Sequence, residues 1–290
     1  VTALRVVQPG PYATVQDLGR PGWFSAGVGV AGAADVASYR LANRLLGNAE
    51  SAAAIECVLG GLVLEALGAV TVAVTGAPAP VFVDETPAGP AAVLRLGPGQ
   101  QLRLGLADAG MRVYVAVRGG VDVPPVLGSR SRDTMAGLGP EPLVARQELP
   151  VGEAVTAHPR IGAAPVRPIT LDPVPVRVVL GPRDDWFARP TDLFVGHWVV
   201  TDRLDRVGVR LARPHGSRAL TRLRDGALPT EGMPLGAVQV PPSGEPVVFL
   251  ADHPITGGYP VIAVVRADDV PAVAQVRPGQ HLMFRAAQGH

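Results

Sequence analysis

The sequence predicts a mainly β protein made of more than one sheet-built unit. Three observations carry that expectation. Apolar runs are short and bounded by turn residues, with 35 glycines and 30 prolines among 290 residues. Helical spacing stands out in only one long stretch, at about 35–46. The texture also breaks once, after about residue 157, where Pro159, Pro165, Pro168, Pro173 and Pro175 crowd a weakly periodic segment. A length of this order suits two domains, and the break divides it into 1–160 and 161–290. Strands that must bury one face without many helices close into barrels or sandwiches.

The elements follow in chain order. Residues 4–8 read as a strand ended by Pro9-Gly10-Pro11. The helix at 35–46 has Asp35 as N-cap, apolar Val36, Tyr39, Leu45 and Leu46, and Gly47-Asn48 as its stop. Ile55–Leu59 and Leu62–Leu64 flank Gly60-Gly61 and read as a hairpin. Val70–Thr75, Ala91–Leu96 and Met111–Val117 read as further strands. After the proline-rich stretch come Val176–Leu180, Trp198–Thr201, Val247–Leu250, Val261–Val265 and His281–Phe284. A short helix starts near Asp268 or Asp269 with Pro271 in its first turn. Gly99-Gln100-Gln101-Leu102-Arg103-Leu104 is echoed by Gly279-Gln280-His281-Leu282-Met283-Phe284, each after a proline.

Composition excludes several chemistries. All 26 basic residues are arginine. There is no Schiff-base lysine, no phosphate-loop lysine and no amine on this sequence for covalent biotin. The net charge of +1 gives no bulk field for nucleic acid. A single cysteine, Cys57, excludes an internal disulfide framework and a cysteine-based zinc site. The six histidines (158, 197, 215, 253, 281, 290) are scattered without metal-binding spacing, so no metal is expected. No targeting segment or membrane-spanning run is visible, which makes a soluble cytoplasmic protein the expectation. Gly27–Gly32 resembles a dinucleotide loop in letters but follows no strand.

Polar clusters supply the candidate site. Gln16, Asp17 and Arg20 lie within five positions, either as a turn held by an Asp–Arg pair or as part of a site. Asp35 caps the helix or, beside a glycine-rich loop, adjoins an anion site. Asn43 reads as a tether. Glu56, in an apolar strand, either faces solvent or is a buried carboxylate with a raised pKa. Arg118-Gly119-Gly120 and Leu127–Arg132 read as surface turns or as a nest for an oxyanion or phosphate, with Arg130 in it. Asp202, Arg203, Asp205, Arg206 and Arg210 form a mixed-charge cluster. Gln239-Val240-Pro241-Pro242 and Asp252–Pro260, with His253 and Tyr259, form the densest late blocks; Asp252 closes an apolar strand.

At these residues the chain resembles the allophanate hydrolase subunit 2, or KipA-type, carboxyltransferase-domain family. That family includes the C component of the ATP-dependent 5-oxoprolinase and part of the urea carboxylase and urea amidolyase proteins. Thr14–Arg20, Gly27–Asp35, Ala42-Asn43, Gly47-Asn48 and Glu56 are similar to its first signature. Arg118–Val121 and Val126–Ser131 are similar to its second. Arg206–Leu211, Glu231-Gly232, Gly236–Pro241, Asp252 and Thr256–Pro260 are similar to its last. Ala31-Gly32-Ala33-Ala34-Asp35 stands where the family usually has Ser-Gly-Ala-Met-Asp, so a serine hydroxyl is missing while Asp35 is kept. Val207 and Val209 replace a methionine and a tyrosine.

The resemblance implies two cyclophilin-like β-barrel domains with a few short helices. It also implies a KipI-type (allophanate hydrolase subunit 1) partner and a LamB/YcsF-type component. The activity it implies is ATP-dependent opening of the 5-oxoproline lactam to glutamate, with ATP bound mainly by a partner. Asp35 and Asp252 would then be the acid/base residues. Gln16, Asp17, Arg20, Arg118, Arg130, Arg206, Gln239 and Tyr259 would line the substrate. Two other functions remain open: half of a biotin-dependent carboxyltransferase, with biotin arriving on another chain, and a non-catalytic regulator that antagonises a kinase inhibitor.

Overall fold

The computed structural model describes residues 2–153, 162–213, 220–224, 226 and 228–287. It divides into two compact units. The first comprises Val1–Arg20, Ala31–Asp133 and Gly137–Thr170; the second comprises Pro21–Val30, Thr134–Ala136 and Leu171–His290. The boundary expected at 160/161 lies outside the described residues. The chain passes between units at Thr170–Leu171, and the two short segments 21–30 and 134–136 group with the second unit.

The first unit holds β1 (Ala3–Pro9), β2 (Ala13–Gln16), α1 (Val36–Leu46), β3 (Ala54–Val58), β4 (Leu62–Ala66), β5 (Val70–Gly76), β6 (Val81–Val83), β7 (Thr86–Ala88), β8 (Val93–Leu96), β9 (Gln101–Leu104), β10 (Arg112–Val117) and β11 (Glu148–Pro150). Its strands form a six-stranded sheet, β11-β1-β4-β9-β6-β7, and a five-stranded sheet, β2-β3-β10-β5-β8. This differs from a single closed barrel. The two sheets share one apolar core, in which Leu4, Val6, Leu62 and Leu64 meet Val15, Ile55, Val72, Val113 and Val115. Alternation along each strand produces that face, because successive side chains point to opposite sides.

The expected hairpin at Gly60-Gly61 does not form. β3 and β4 belong to different sheets, and the two glycines carry the chain from one to the other. Both have positive φ, 92° and 72°. A Cβ on Gly60 would stand 2.2 Å from the Gly105 carbonyl oxygen, and one on Gly10 would stand 2.4 Å from the Gly60 oxygen. The backbones are too close for a side chain, which is the physical reason for glycine here.

The helix matches its expected caps. The Asp35 carboxylate accepts the Ser38 N–H at 2.9 Å, and Gly47 closes the helix at φ 65°. α1 lies on the outer face of the five-stranded sheet. Ala54, Ala73 and Ala116 of β3, β5 and β10 give it a low floor, and Tyr39, Ala42 and Leu46 pack onto them.

The second unit holds β12 (Val174–Leu180), β13 (Trp198–Leu204), β14 (Gly208–Ala212), β15 (Glu231–Gly232), β16 (Ala237–Gln239), β17 (Val247–Phe249), β18 (Thr256–Gly257), β19 (Val261–Val265), α2 (Val270–Val273) and β20 (His281–Ala286). Seven of these strands close a barrel in the order β12-β19-β16-β17-β14-β13-β20. Closure removes the free edges. β12 shows how it fills: Val176 and Val178 are buried, while Arg177 and Val179 between and beyond them are exposed. Trp198 is fully buried; its Nε1–H donates to the Leu193 carbonyl at 3.0 Å, and Arg213 stacks over its ring.

The sequence echo is a shared turn. Gly99 and Gly279 have φ of 83° and 82°. The Gln100 Oε1 accepts the Gly97 N–H at 2.9 Å, and the Gln280 Oε1 accepts the Arg277 N–H at 3.1 Å. Proline followed by glycine at positive φ sets both turns, and the glutamine side chain closes each.

Gly60→Ala adds a methyl group into a backbone carbonyl at a positive φ. It should lower the stability of the chain by roughly 3 kcal/mol, read from the urea midpoint, whereas Gly89→Ala, with open space around it, should change it by less than about 0.5 kcal/mol.

Candidate functional site

The outer face of the five-stranded sheet divides into a row of alanines ended by Gln16 and a polar row. Strand register places Gln16, Ala54, Ala116 and Ala73 across from one another, and one step along it places Thr14, Glu56, Tyr114 and Thr75 in line. All four of the second row are buried. The Tyr114 hydroxyl donates to Glu56 Oε2 at 2.6 Å and accepts the Asp35 N–H at 2.8 Å. The same Glu56 oxygen accepts the Ala34 N–H at 3.0 Å, and Arg112 Nε lies 3.5 Å from Oε1. Thr75 donates to the Ser38 carbonyl at 2.7 Å. Glu56 is therefore the buried carboxylate of the two possibilities, and it holds the 33–35 segment onto the sheet. Burial and the neighbouring Glu56 charge push the Tyr114 phenol well above its ordinary range. It stays protonated and serves as a donor.

Beside this row, the Asp17 carboxylate fills the loop that reads as either a surface turn or a nest. Its Oδ1 accepts the Gly19 N–H at 2.7 Å, the Ser129 hydroxyl at 2.7 Å and the Ser131 hydroxyl at 2.6 Å. Its Oδ2 accepts the Arg130 N–H at 2.6 Å. The anion that this Ser-Arg-Ser turn binds is the protein's own. Arg20, also buried, does not pair with Asp17. It donates to the Ser131 carbonyl, and its Nη1 stands 3.8 Å from Asp133. Arg130 turns outward, donating to the Val123 carbonyl at 2.7 Å and to Asp122 at 2.6 Å. Gln16 donates to Thr14 Oγ1 at 2.9 Å and to the Arg132 carbonyl at 3.1 Å. Its Oε1 and the Arg20 Nη1 are buried without a hydrogen-bond partner.

Gly32 brings the 31–35 segment against these residues. A Cβ there would stand 2.9 Å from the Gly19 nitrogen, and the Ala33 N–H donates to the Asp17 carbonyl at 2.9 Å. Gln16, Asp17, Arg20 and Asp35 thus gather at one end of α1. Arg118 does not join them. It donates to the carbonyl of Leu46, the last residue of the eleven-residue helix, about 16 Å away along its axis. Asn43 and Asn48 tie down that same end through the Ala52 and Val117 carbonyls, at 2.9 and 2.8 Å.

In the second unit, Arg206 and Asp252 form a buried two-pronged pair, with Nε–Oδ2 and Nη2–Oδ1 both 2.9 Å. Asp252 Oδ2 also accepts the Thr134 N–H at 2.9 Å and its hydroxyl at 2.7 Å. Gln239 donates to the Tyr259 carbonyl at 3.2 Å, while the Tyr259 side chain is exposed. His253 Nδ1 lies 2.8 Å from the Pro254 carbonyl oxygen. Among the described residues there is no group of three or more metal-ligating side chains, and no helix is long and apolar enough to cross a membrane. The Cys57 thiol is buried and pushed up to about 12, which makes it a poor nucleophile.

The family model "carboxyltransferase domain, subdomain A and B" matches residues 26–286. The chain belongs to this family. It is 35% identical over 286 residues to the C component of the 5-oxoprolinase of Escherichia coli K12, covering 97% of this chain and 90% of that protein. The fold is similar to the crystal structure of TTHA0988, with a TM-score of 0.88 and 36% identity over 98% of this chain but 56% of that one. It is also similar to the K. lactis urea amidolyase, with a TM-score of 0.91 and 29% identity over 99% of this chain and 19% of that one. The carboxyltransferase-domain module thus stands nearly alone in one relative and is one part of longer chains in others.

Sequence reasoning missed Arg112, Tyr114 and Thr75 of this carboxyltransferase domain because each sits in a strand that reads as apolar; Thr14 was quoted only within the first signature, without a role. Only the strand register aligns them. It also left Ser129 and Ser131 as members of a nest, because nothing local shows that Asp17 enters it.

Tyr114→Phe removes the donor to Glu56 and the acceptor of the Asp35 N–H. It should cost about 2 kcal/mol at pH 7. The phenol's contribution is complete below its ordinary value of 10.0 and is lost as pH rises toward the elevated folded value. The gap between wild type and Tyr114→Phe in denaturant titrations should therefore narrow above pH 10.0. Asp17→Ala leaves two hydroxyls and two N–H groups without their acceptor. It should cost about 3 kcal/mol or prevent folding, measured by thermal unfolding.

Proposed function

We propose that this carboxyltransferase-domain chain is the C component of an ATP-dependent 5-oxoprolinase, which opens the lactam of 5-oxoproline to glutamate. One observation carries the reading. The similarity to the E. coli 5-oxoprolinase component runs over 97% of this chain and 90% of that protein, so it extends well beyond a shared fragment.

The chemistry constrains how the work is divided. A lactam carbonyl is a weak electrophile towards water. Transfer of the ATP γ-phosphoryl group to its oxygen activates the carbon, and water adds there. The ring C–N bond breaks with the nitrogen leaving as the protonated amine, and hydrolysis of the resulting acyl phosphate gives glutamate and phosphate. The Ser-Arg-Ser turn, the best candidate phosphate cradle in the sequence, is filled by the Asp17 carboxylate, so it does not fit nucleotide phosphates. We therefore assign ATP to a companion protein of KipI type, with a LamB/YcsF-type protein completing the complex.

Asp35 and Asp252 act as positioning residues in this scheme. Asp35 is committed to Ser38, through its N–H at 2.9 Å and its hydroxyl at 2.6 Å. Asp252 has both oxygens committed to Arg206 and one also to Thr134. With these bonds made, the two carboxylates hold their loops in place.

A second reading rests on the fold similarity to the K. lactis urea amidolyase: carboxyl transfer from biotin. With no lysine in this sequence, the biotin would be carried by another chain.

Co-expression with the companion proteins, followed by measurement of glutamate from 5-oxoproline, tests the first reading. Glutamate should appear only with ATP and only with every component present, and avidin should not inhibit it. A folded, complete complex that releases none overturns the reading; turnover blocked by avidin selects the second. Asp252→Asn should lower kcat at least about 10-fold through a misplaced loop, with assembly monitored alongside by light scattering.

A further inference from the structure

The segment Pro21-Gly22-Trp23-Phe24-Ser25-Ala26-Gly27 is exposed at every residue, yet it is an ordered turn. The Ala26 and Val28 N–H groups donate to the Trp23 carbonyl at 2.9 and 3.2 Å, and the Gly27 N–H donates to the Phe24 carbonyl at 2.9 Å. Gly22 and Gly27, at φ of 94° and 80°, let the chain turn tightly at both ends. Trp23 and Phe24 are thereby held outward, 40% and 53% exposed. No residue of the short helical turn at 24–26 is buried. An aromatic pair this costly to leave in water, on a backbone that is already ordered, is a preformed anchor.

The base of the turn meets two other segments of the second unit that carry exposed side chains. A Cβ on Gly29 would stand 3.5 Å from Ile255 Cγ2 and 3.7 Å from the His253 carbonyl oxygen, so the base of the turn rests on the loop after Asp252. Thr134 is bonded to Asp252 itself, and its neighbour Met135 is 52% exposed. Tyr259 follows β18 two residues on, with its backbone bonded to Gln239 and its ring 46% exposed. The segments that carry Trp23, Phe24 and Met135 thus both reach residues 252–255, with Tyr259 just beyond β18, and residues 21–27 include no charged side chain.

We propose that this aromatic surface is the docking face for the companion protein of the complex, with Trp23 and Phe24 entering an apolar pocket on it. The proposal rests on reading the chain as one component of an assembly. Two comparisons point to protein as the occupant. The E. coli relative is named as one subunit of an enzyme. In TTHA0988 and in the K. lactis urea amidolyase, the same fold is continuous with further protein, taking 56% and 19% of those chains. The absence of charge on the turn disfavours nucleic acid or an anionic membrane surface. Trp and other large aromatic side chains dominate the energetics of protein interfaces when they fill pockets.

The test uses the full chain and the KipI-type companion protein, purified separately and mixed, with affinity measured calorimetrically and stoichiometry by light scattering. The double variant Trp23→Ala/Phe24→Ala should bind at least about 100-fold more weakly than wild type. Its unfolding midpoint alone should match wild type, because both side chains are solvent-facing. Tyr259→Ala should weaken binding about 10-fold. Unchanged affinity in the double variant overturns the proposal, as does wild type that binds no companion. Wild type that dimerises by itself through these residues also overturns it, in favour of a second copy. Normal wild-type binding without glutamate release leaves the docking face standing and instead removes the 5-oxoprolinase reading.

Discussion

The Asp17 carboxylate joins two stretches of chain separated by 112 to 114 residues. It draws two serine hydroxyls and two backbone N–H groups onto one buried anion. A carboxylate taken out of water is tolerated only when its lone pairs are met, and here they are. The consequence reaches well beyond one turn. With residues 129–131 held against residues 17–19, Arg20 is bonded to the Ser131 carbonyl and Gln16 to the Arg132 carbonyl. Gly32 can then bring the next segment into contact with the Gly19 backbone.

A second constraint works on the same sheet face from below. Small alanines at Ala54, Ala73 and Ala116 let α1 lie close to the strands. The Thr14–Glu56–Tyr114–Thr75 row then meets the helix start with hydrogen bonds as well as the Tyr114–Tyr39 ring contact. Tyr114 bridges Glu56 and the Asp35 N–H, so the N-cap of α1 is placed by the sheet as well as by its own Ser38. Helix, loop and sheet are positioned together, and the polar residues at this end of α1 are already engaged with one another.

That engagement bears on function. Asp17, Asp35 and Asp252, the three carboxylates that stand out in the sequence, are each engaged by donors within their own unit. A chain built this way supplies shape, fixed dipoles and arginine positions more readily than a free acid or base. Its aromatic turn at 21–27 faces outward.

Much of the fold was legible locally. Asp35, the apolar spacing and Gly47 bracket α1 because capping is decided by neighbours within a few residues. The Pro-Gly-Gln turns before β9 and β20 were visible as an echo for the same reason. The signature residues Gln16, Asp17 and Arg20 were also legible as a cluster. Their partners were not. Register, which is set by long-range pairing, decided that Glu56 meets Tyr114. The close backbone contacts of Gly60 and Gly105 decided that a predicted hairpin is a passage between two sheets. The Ser-Arg-Ser turn held an ambiguity that no local pattern resolves, since the same donors suit a foreign phosphate or the protein's own carboxylate. Short-range chemistry thus specified the caps, the turns and the β-rich character. Which buried charge each donor meets, and whether a set of strands closes into a ring or stays two sheets, depends on residues brought together from far apart in the chain.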